Sequence, residues 1–147
     1  MGAVSWKSAP DEHDYPAAAS YLSLLAADID LNDLIRRLKA ADISYFKAKD
    51  MLRASRLALL PVDNPHVASD LRKITKGESL SPVLLVRGDL ALGLALQIAD
   101  GYHRVCASYY TDENTDIPCR MVGPADPGRP PRWSTDRPAD RSPEECR

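Results

Sequence analysis

The chain has few cysteines, and they form no pattern. Cys106, Cys119 and Cys146 are odd in number and show neither a CxxC pair nor Cys/His ligand spacing. Neither a disulfide framework nor a zinc site is therefore expected, no residue is assigned to a metal, and a reducing, cytoplasmic setting is implied. The sequence also lacks a basic-then-apolar leader, and none of its apolar runs approaches the roughly 18 residues of a membrane span, so a membrane is not an expected partner. Positive charge is not in excess either. With 19 Lys and Arg against 21 Asp and Glu, the net charge of −2 does not supply the basic field of a general nucleic-acid binder. There is no internal repeat.

What is present suits one α+β domain. In 147 residues, 44% hydrophobic, there is apolar material for a single core, placed by the reading at residues 14–122. From Gly123 the composition turns to proline and charge, with Trp133 as the only large apolar side chain. Ordering a residue costs about 1–2 kcal/mol of backbone entropy, which such a segment cannot offset. Residues 123–147 are thus expected to be a disordered Pro/Arg-rich tail, and the residues up to Glu12 are expected to be loosely held.

Within the domain the patterns alternate between helix and strand. Pro16 opens a short helix from Ala17 to Leu25. Asp30 is expected to cap a second helix whose Leu31, Leu34, Ile35 and Leu38 recur at i, i+3, i+4 and i+7. Ile43 to Ala48 alternates as a strand, Lys49 to Ser55 makes a helical turn, and Leu57 to Leu60 is an apolar run closed by Pro61. Asn64 caps a third helix with Pro65 at its first position and Val67, Leu71 and Ile74 as its apolar stripe, stopped by Gly77. Pro82–Val86 and Leu94–Ile98 read as a hairpin, a helix follows Gly101, and Asp116–Val122 is the last strand. The expected architecture is a small mixed sheet flanked by helices. Cys106 is expected to face the core, and Cys119 to alternate with Ile117.

The junction Asp100-Gly101-Tyr102-His103-Arg104 carries the chemistry. An apolar strand ends at a glycine that permits a sharp turn, and a helix then starts with its free N–H groups outward beside a histidine and an arginine, a combination suited to phosphate. Asp63, Asn64 and His66, at another helix start, are expected to line the same cleft, and Lys47 and Lys49, at a strand end, to reach it as point charges. Asp100 either holds a metal ion or fixes the turn, the latter being favoured.

Together, Pro82-Val83-Leu84-Leu85-Val86, Ile98-Ala99-Asp100-Gly101-Tyr102-His103-Arg104-Val105-Cys106-Ala107 and Asp116-Ile117-Pro118-Cys119-Arg120 resemble the ParB/sulfiredoxin-like superfamily over residues 43 to 122. In that superfamily the Asp-Gly-x-x-Arg turn faces the phosphates of CTP in chromosome-partitioning members, of ATP in sulfiredoxins, and of ADP or ATP in free-serine kinases. The resemblance implies that Gly101 allows close approach, that the Tyr102 and His103 N–H groups cradle phosphate oxygens, that the His103 ring adds a donor, and that Arg104 pairs with charge. Departures narrow it. Tyr102 stands where sulfiredoxins place their cysteine, which disfavours sulfinic-acid reduction. Asp112-Glu113-Asn114-Thr115 replaces the second, arginine-rich phosphate motif of the partitioning proteins. No helix-turn-helix follows, so DNA binding would need a separate reader.

The function expected is therefore binding of a nucleotide (ATP or CTP, with Mg²⁺), extending to phosphotransfer or nucleotide hydrolysis with Asp63 or Asp100 as the acidic group. The alternative is a non-enzymatic module that senses a nucleotide or engages a protein or DNA partner. A nuclease is disfavoured by the acidic balance.

Overall fold

A computed structural model describes residues 3–124, so most of the expected tail lies outside the described residues. Among these residues the chain forms α1 (Asp14–Leu22), α2 (Asp28–Ala40), β1 (Ile43–Lys47), α3 (Ala48–Ser55), α4 (Pro65–Thr75), β2 (Val83–Val86), β3 (Gln97–Asp100), α5 (Tyr102–Thr111) and β4 (Asp116–Val122). The strands make one mixed sheet in the order β1-β4-β2-β3. β1 and β3 are antiparallel to their neighbours, and β2 runs parallel to β4. Pro118 sits inside a central strand, where a missing N–H is costly. It lies opposite Tyr45 of β1 and one residue before the β2 ladder begins, at Val83 opposite Cys119.

Side-chain alternation along β2 divides the core. Val83 and Leu85 join Met51, Val67, Ile74, Val105, Ile117 and Cys119 in a cluster covered by α3, α4 and α5. Leu84 and Val86 join Tyr15, Ala18, Leu22, Leu34 and Leu38 under α1 and α2. This is the two-faced burial expected of a sheet with helices on both sides, and it makes all four residues of β2 buried. Cys106 and Cys119 are both fully buried, and burial raises their thiol pKa values.

The structure corrects several boundaries. α1 begins at Asp14 and ends at Leu22, leaving Leu24 and Leu25 exposed beyond it. Pro16 is accommodated because the first-turn N–H groups have no intrahelical acceptor in any case. α2 starts at Asp28, not after an Asp30 cap, and Ala27 makes no side-chain cap bond. Asp28 and Asp30 both lie in its first turn, where carboxylates favour the positive end of the helix. Leu57 to Leu60 is irregular; the Tyr102 hydroxyl donates to the Ala58 carbonyl, and that of Tyr110 to the Leu60 carbonyl at 2.7 Å. Among the described residues before α1, the segment around Trp6 is held, not loose. Lys7 N–H donates to the Leu80 carbonyl and Leu80 N–H to the Ser5 carbonyl, both at 2.8 Å, forming an isolated parallel bridge between Trp6 and Leu80. Trp6 also packs on the larger core cluster.

Candidate functional site

The corner between β3 and α5 opens into a polar cleft of about 370 Å³. Four segments build it. The corner supplies Asp100, Gly101, His103 and Arg104; α4 supplies His66, Ser69, Asp70 and Lys73; the strand approach supplies Ser79, Leu80 and Ser81; the N-terminal segment and α1 supply Lys7, Asp11, His13 and Asp14. Asn64 is positioned as its sequence implies. Its side chain accepts from the N–H groups of His66 at 3.0 Å and Val67 at 3.2 Å, starting α4 so that His66, Ser69, Asp70 and Lys73 fall on one face.

Gly101 has φ of 110°, which a side chain would make strained, and no side-chain bond caps α5. A Cβ here would lie 2.4 Å from Val83 Cγ1 and 2.9 Å from Arg104 Nη2. The close approach that the glycine permits is therefore used by Val83, locking the turn to β2. The first turn of α5 holds no acidic residue, so its N–H groups and positive dipole end are uncompensated by a neighbouring carboxylate on the helix itself.

Arg104 is committed inside the protein. Its Nη2 donates to Asp100 Oδ2 at 2.5 Å, and its Nη1 donates to Asp14 Oδ2 at 3.4 Å and to Ser81 Oγ. Ser81 in turn donates to Asp14 Oδ2, which also accepts from the Asp11 N–H at 3.1 Å. Asp14 is 4% exposed. This network ties α1, the segment before β2, β3 and α5 together through one guanidinium, with the Asp100 carboxylate held by Arg104 across the turn. Burial pushes the Asp100 carboxyl up from its usual range, and Arg104 only partly opposes this.

Across the cleft the rings of His66 and His103 lie 4.7 Å apart between centroids. Burial and then the neighbouring His66 lower the pKa of His103. Asp70 is raised by burial, with Lys73, 3.9 Å away, opposing. At the far wall Lys7 holds Asp11 at 2.9 Å and pulls its pKa down. Donor atoms of Asp11, His13 and Asp14 lie within 4.8 Å of one another, close enough to share a cation.

Of the residues singled out from the sequence, Asp100, Gly101, His103, Arg104 and His66 meet in this cleft. Tyr102 contributes its backbone to the α5 start and sends its hydroxyl to Ala58. Asn64 acts as the cap of α4, and Asp63, in the turn before it, is outside the cleft lining. Lys47 and Lys49 line a separate depression with Asp50 and Arg53. Sequence reasoning missed Asp14, Ser81, Asp70 and Lys73. The last two were detectable: His66, Ser69, Asp70 and Lys73 repeat at i, i+3, i+4 and i+7, a polar stripe beside the apolar one. Compared with family models, curated proteins and solved structures, the chain shows no significant match.

Proposed function

We propose that the cleft binds the phosphate groups of a nucleotide, ATP or CTP, and that it does so as a binding module of the ParB/sulfiredoxin-like kind. The observation that carries the reading is the uncapped N-terminus of α5 entering a polar cleft beside paired histidines and Lys73. Backbone N–H groups, two imidazoles and an ammonium are the donor set a phosphate needs, and the helix dipole has the matching sign. In this reading Arg104 is a positioning residue, because its guanidinium already serves Asp14, Ser81 and Asp100. His66, His103 and Lys73 contact the ligand.

Charge makes the binding cation-assisted. Asp11, Asp14, Asp70 and Asp100 face Lys7, Lys73 and Arg104 across the cleft, so a bare triphosphate meets no net positive charge when the histidines are neutral. Mg²⁺ prefers carboxylate oxygens; Asp11 and Asp14 fit it, with the Lys7 ammonium displaced from Asp11. Binding without turnover is favoured over phosphotransfer by the placement of the two acids proposed for catalysis: Asp100 is engaged with Arg104, and Asp63 lies outside the lining.

The test is a melting panel of ATP, CTP and ADP with and without Mg²⁺, on wild type and on Lys73→Ala and His103→Ala, with phosphate release followed in parallel. At least one nucleotide should raise the wild-type Tm, more with Mg²⁺, with a smaller rise in both variants and no phosphate released above buffer. No shift with any nucleotide would overturn the reading.

A further inference from the structure

A second cavity, of about 460 Å³, lies at the other end of β2. None of its lining residues is shared with the cleft. It forms where the larger core cluster reaches the edge of the helix cover. Leu96 and Met121, both partly exposed and packed on that cluster, line it with the buried Met51 and Leu85. Methionines adapt to irregular apolar guests. The rim carries exposed leucines as well: Leu90 is 97% exposed and Leu94 52%. An apolar hollow bordered by apolar side chains in water marks a binding surface.

The charges at this mouth are not balanced. Arg53 pairs with Asp50 at 3.2 Å, and Asp89 keeps its charge while its Oδ1 accepts from the Leu92 N–H at 3.2 Å, so that with Arg56 and Arg87 the lining carries one net positive charge. Arg56 and Arg87 remain. Arg56 makes only a long contact to the Gly93 carbonyl, at 3.4 Å, and the Arg87 guanidinium has no hydrogen-bond or ion-pair partner among the described residues. The backbone supporting them is already shaped. Arg56 is the only non-glycine residue with positive φ among the described residues, at 60°, and this left-handed conformation ends α3 at the mouth. Such strain persists where surrounding structure imposes it. Across the mouth, Asp89 and Leu94 exchange two backbone hydrogen bonds of 2.9 Å, and a Cβ on Gly88 would lie 2.4 Å from the Leu94 carbonyl oxygen, so the loop is closed on itself.

We propose that this cavity is a binding site for a small amphipathic carboxylate, its apolar body entering against Met51, Leu85, Leu96 and Met121 and its anionic group meeting Arg56 and Arg87. A concave, preformed hollow of this size fits a small molecule, and the two guanidiniums without a carboxylate partner select an anion over a neutral analogue.

The test is calorimetric titration of the full chain with octanoate, and with octanol as the neutral control. Octanoate should saturate at one per chain and bind at least tenfold more tightly than octanol. Arg87→Gln should weaken octanoate at least fivefold while leaving octanol unchanged. Arg56→Gly should do the same while raising Tm, since glycine relieves the positive φ, which separates loss of binding from loss of fold. Ala54→Phe, on the exposed face of α3 lining the cavity, should weaken both ligands. The proposal fails if octanoate does not saturate, if octanol binds as well as octanoate, or if Ala54→Phe leaves both unchanged. These outcomes are independent of the nucleotide melting panel, which reports on the other end of β2.

Discussion

Replacing Arg104 should unfold the corner before it affects any ligand. The Arg104 side chain is 14% exposed and lies between the side chains of Asp100, 18% exposed, and Asp14, 5% exposed. Arg104→Met keeps the aliphatic bulk but leaves two buried carboxylates facing each other with no cation, and deprives the Ser81 hydroxyl of a charged neighbour. Removing one partner from a buried ion pair costs about 3–5 kcal/mol, much more than the roughly 0–1 kcal/mol of an exposed pair. Urea unfolding at pH 7 should therefore show a loss of about 3–5 kcal/mol with an unchanged m-value. As pH falls and the Asp100 carboxyl, already raised by burial, takes up a proton, the penalty should shrink toward the roughly 1–3 kcal/mol of unsatisfied polar groups. Asp100→Asn added to Arg104→Met should recover part of the pH 7 loss, because it removes one of the stranded charges. A loss below about 1 kcal/mol at pH 7, or a loss that does not change with pH, would refute the view that this arginine is a structural tie.

Other expectations follow from the same geometry. Gly101→Ala adds a methyl against Val83 and a positive-φ penalty, together about 2–5 kcal/mol, measurable by thermal or urea unfolding. Asn64→Ala should cost about 0.5–2 kcal/mol by removing the two cap bonds of α4, with increased hydrogen exchange confined to its first turn. Asp70 and Asp100 have folded pKa values above the ordinary 3.8, so the folded state binds their protons more tightly than the unfolded chain. Their contribution to stability is complete below 3.8 and is lost as pH rises through the raised folded values; Asp70→Asn should flatten that slope in a pH series of urea unfolding curves.

Local order was readable where one element carried its own signal. Asn64-Pro65 and the Val67, Leu71, Ile74 stripe give α4 its start and its buried face without reference to any other segment. The same holds for α2, whose Leu34 and Leu38 are buried as the 3.6-residue period requires, and for the antiparallel pairing of β2 with β3. The helix starts that moved were ones where first-turn carboxylates or a tolerated proline allow a helix to begin earlier than its strongest capping residue; α1 also stops short of Leu25, and the strand expected at Leu94–Ile98 is Gln97–Asp100. What the sequence does not show locally is long-range pairing. Nothing near Asp14 announces that it will meet Arg104, ninety positions away, yet this contact converts the arginine of the corner from a free phosphate ligand into a tie. Ser81 and the clip of Ser5 and Lys7 onto Leu80 are invisible for the same reason. Lys47 and Lys49 show the opposite failure: their charge suits phosphate, but the turn into α3 carries them to another surface. Leu57 to Leu60 was ambiguous because an apolar run without periodicity fits several states, and here its carbonyls are satisfied by tyrosine hydroxyls from α5.

Binding of an anion at the start of α5 against the paired histidines, as proposed, would be reported directly by His103. Its imidazole titrates below the ordinary 6.5 in the free protein because burial and His66 disfavour its charged form. An NMR titration of the histidine ring resonances, with and without saturating ATP or CTP and Mg²⁺, is the decisive measurement. Bound phosphate should raise the His103 pKa above its free value. A His103 titration curve that every nucleotide leaves unmoved would contradict it.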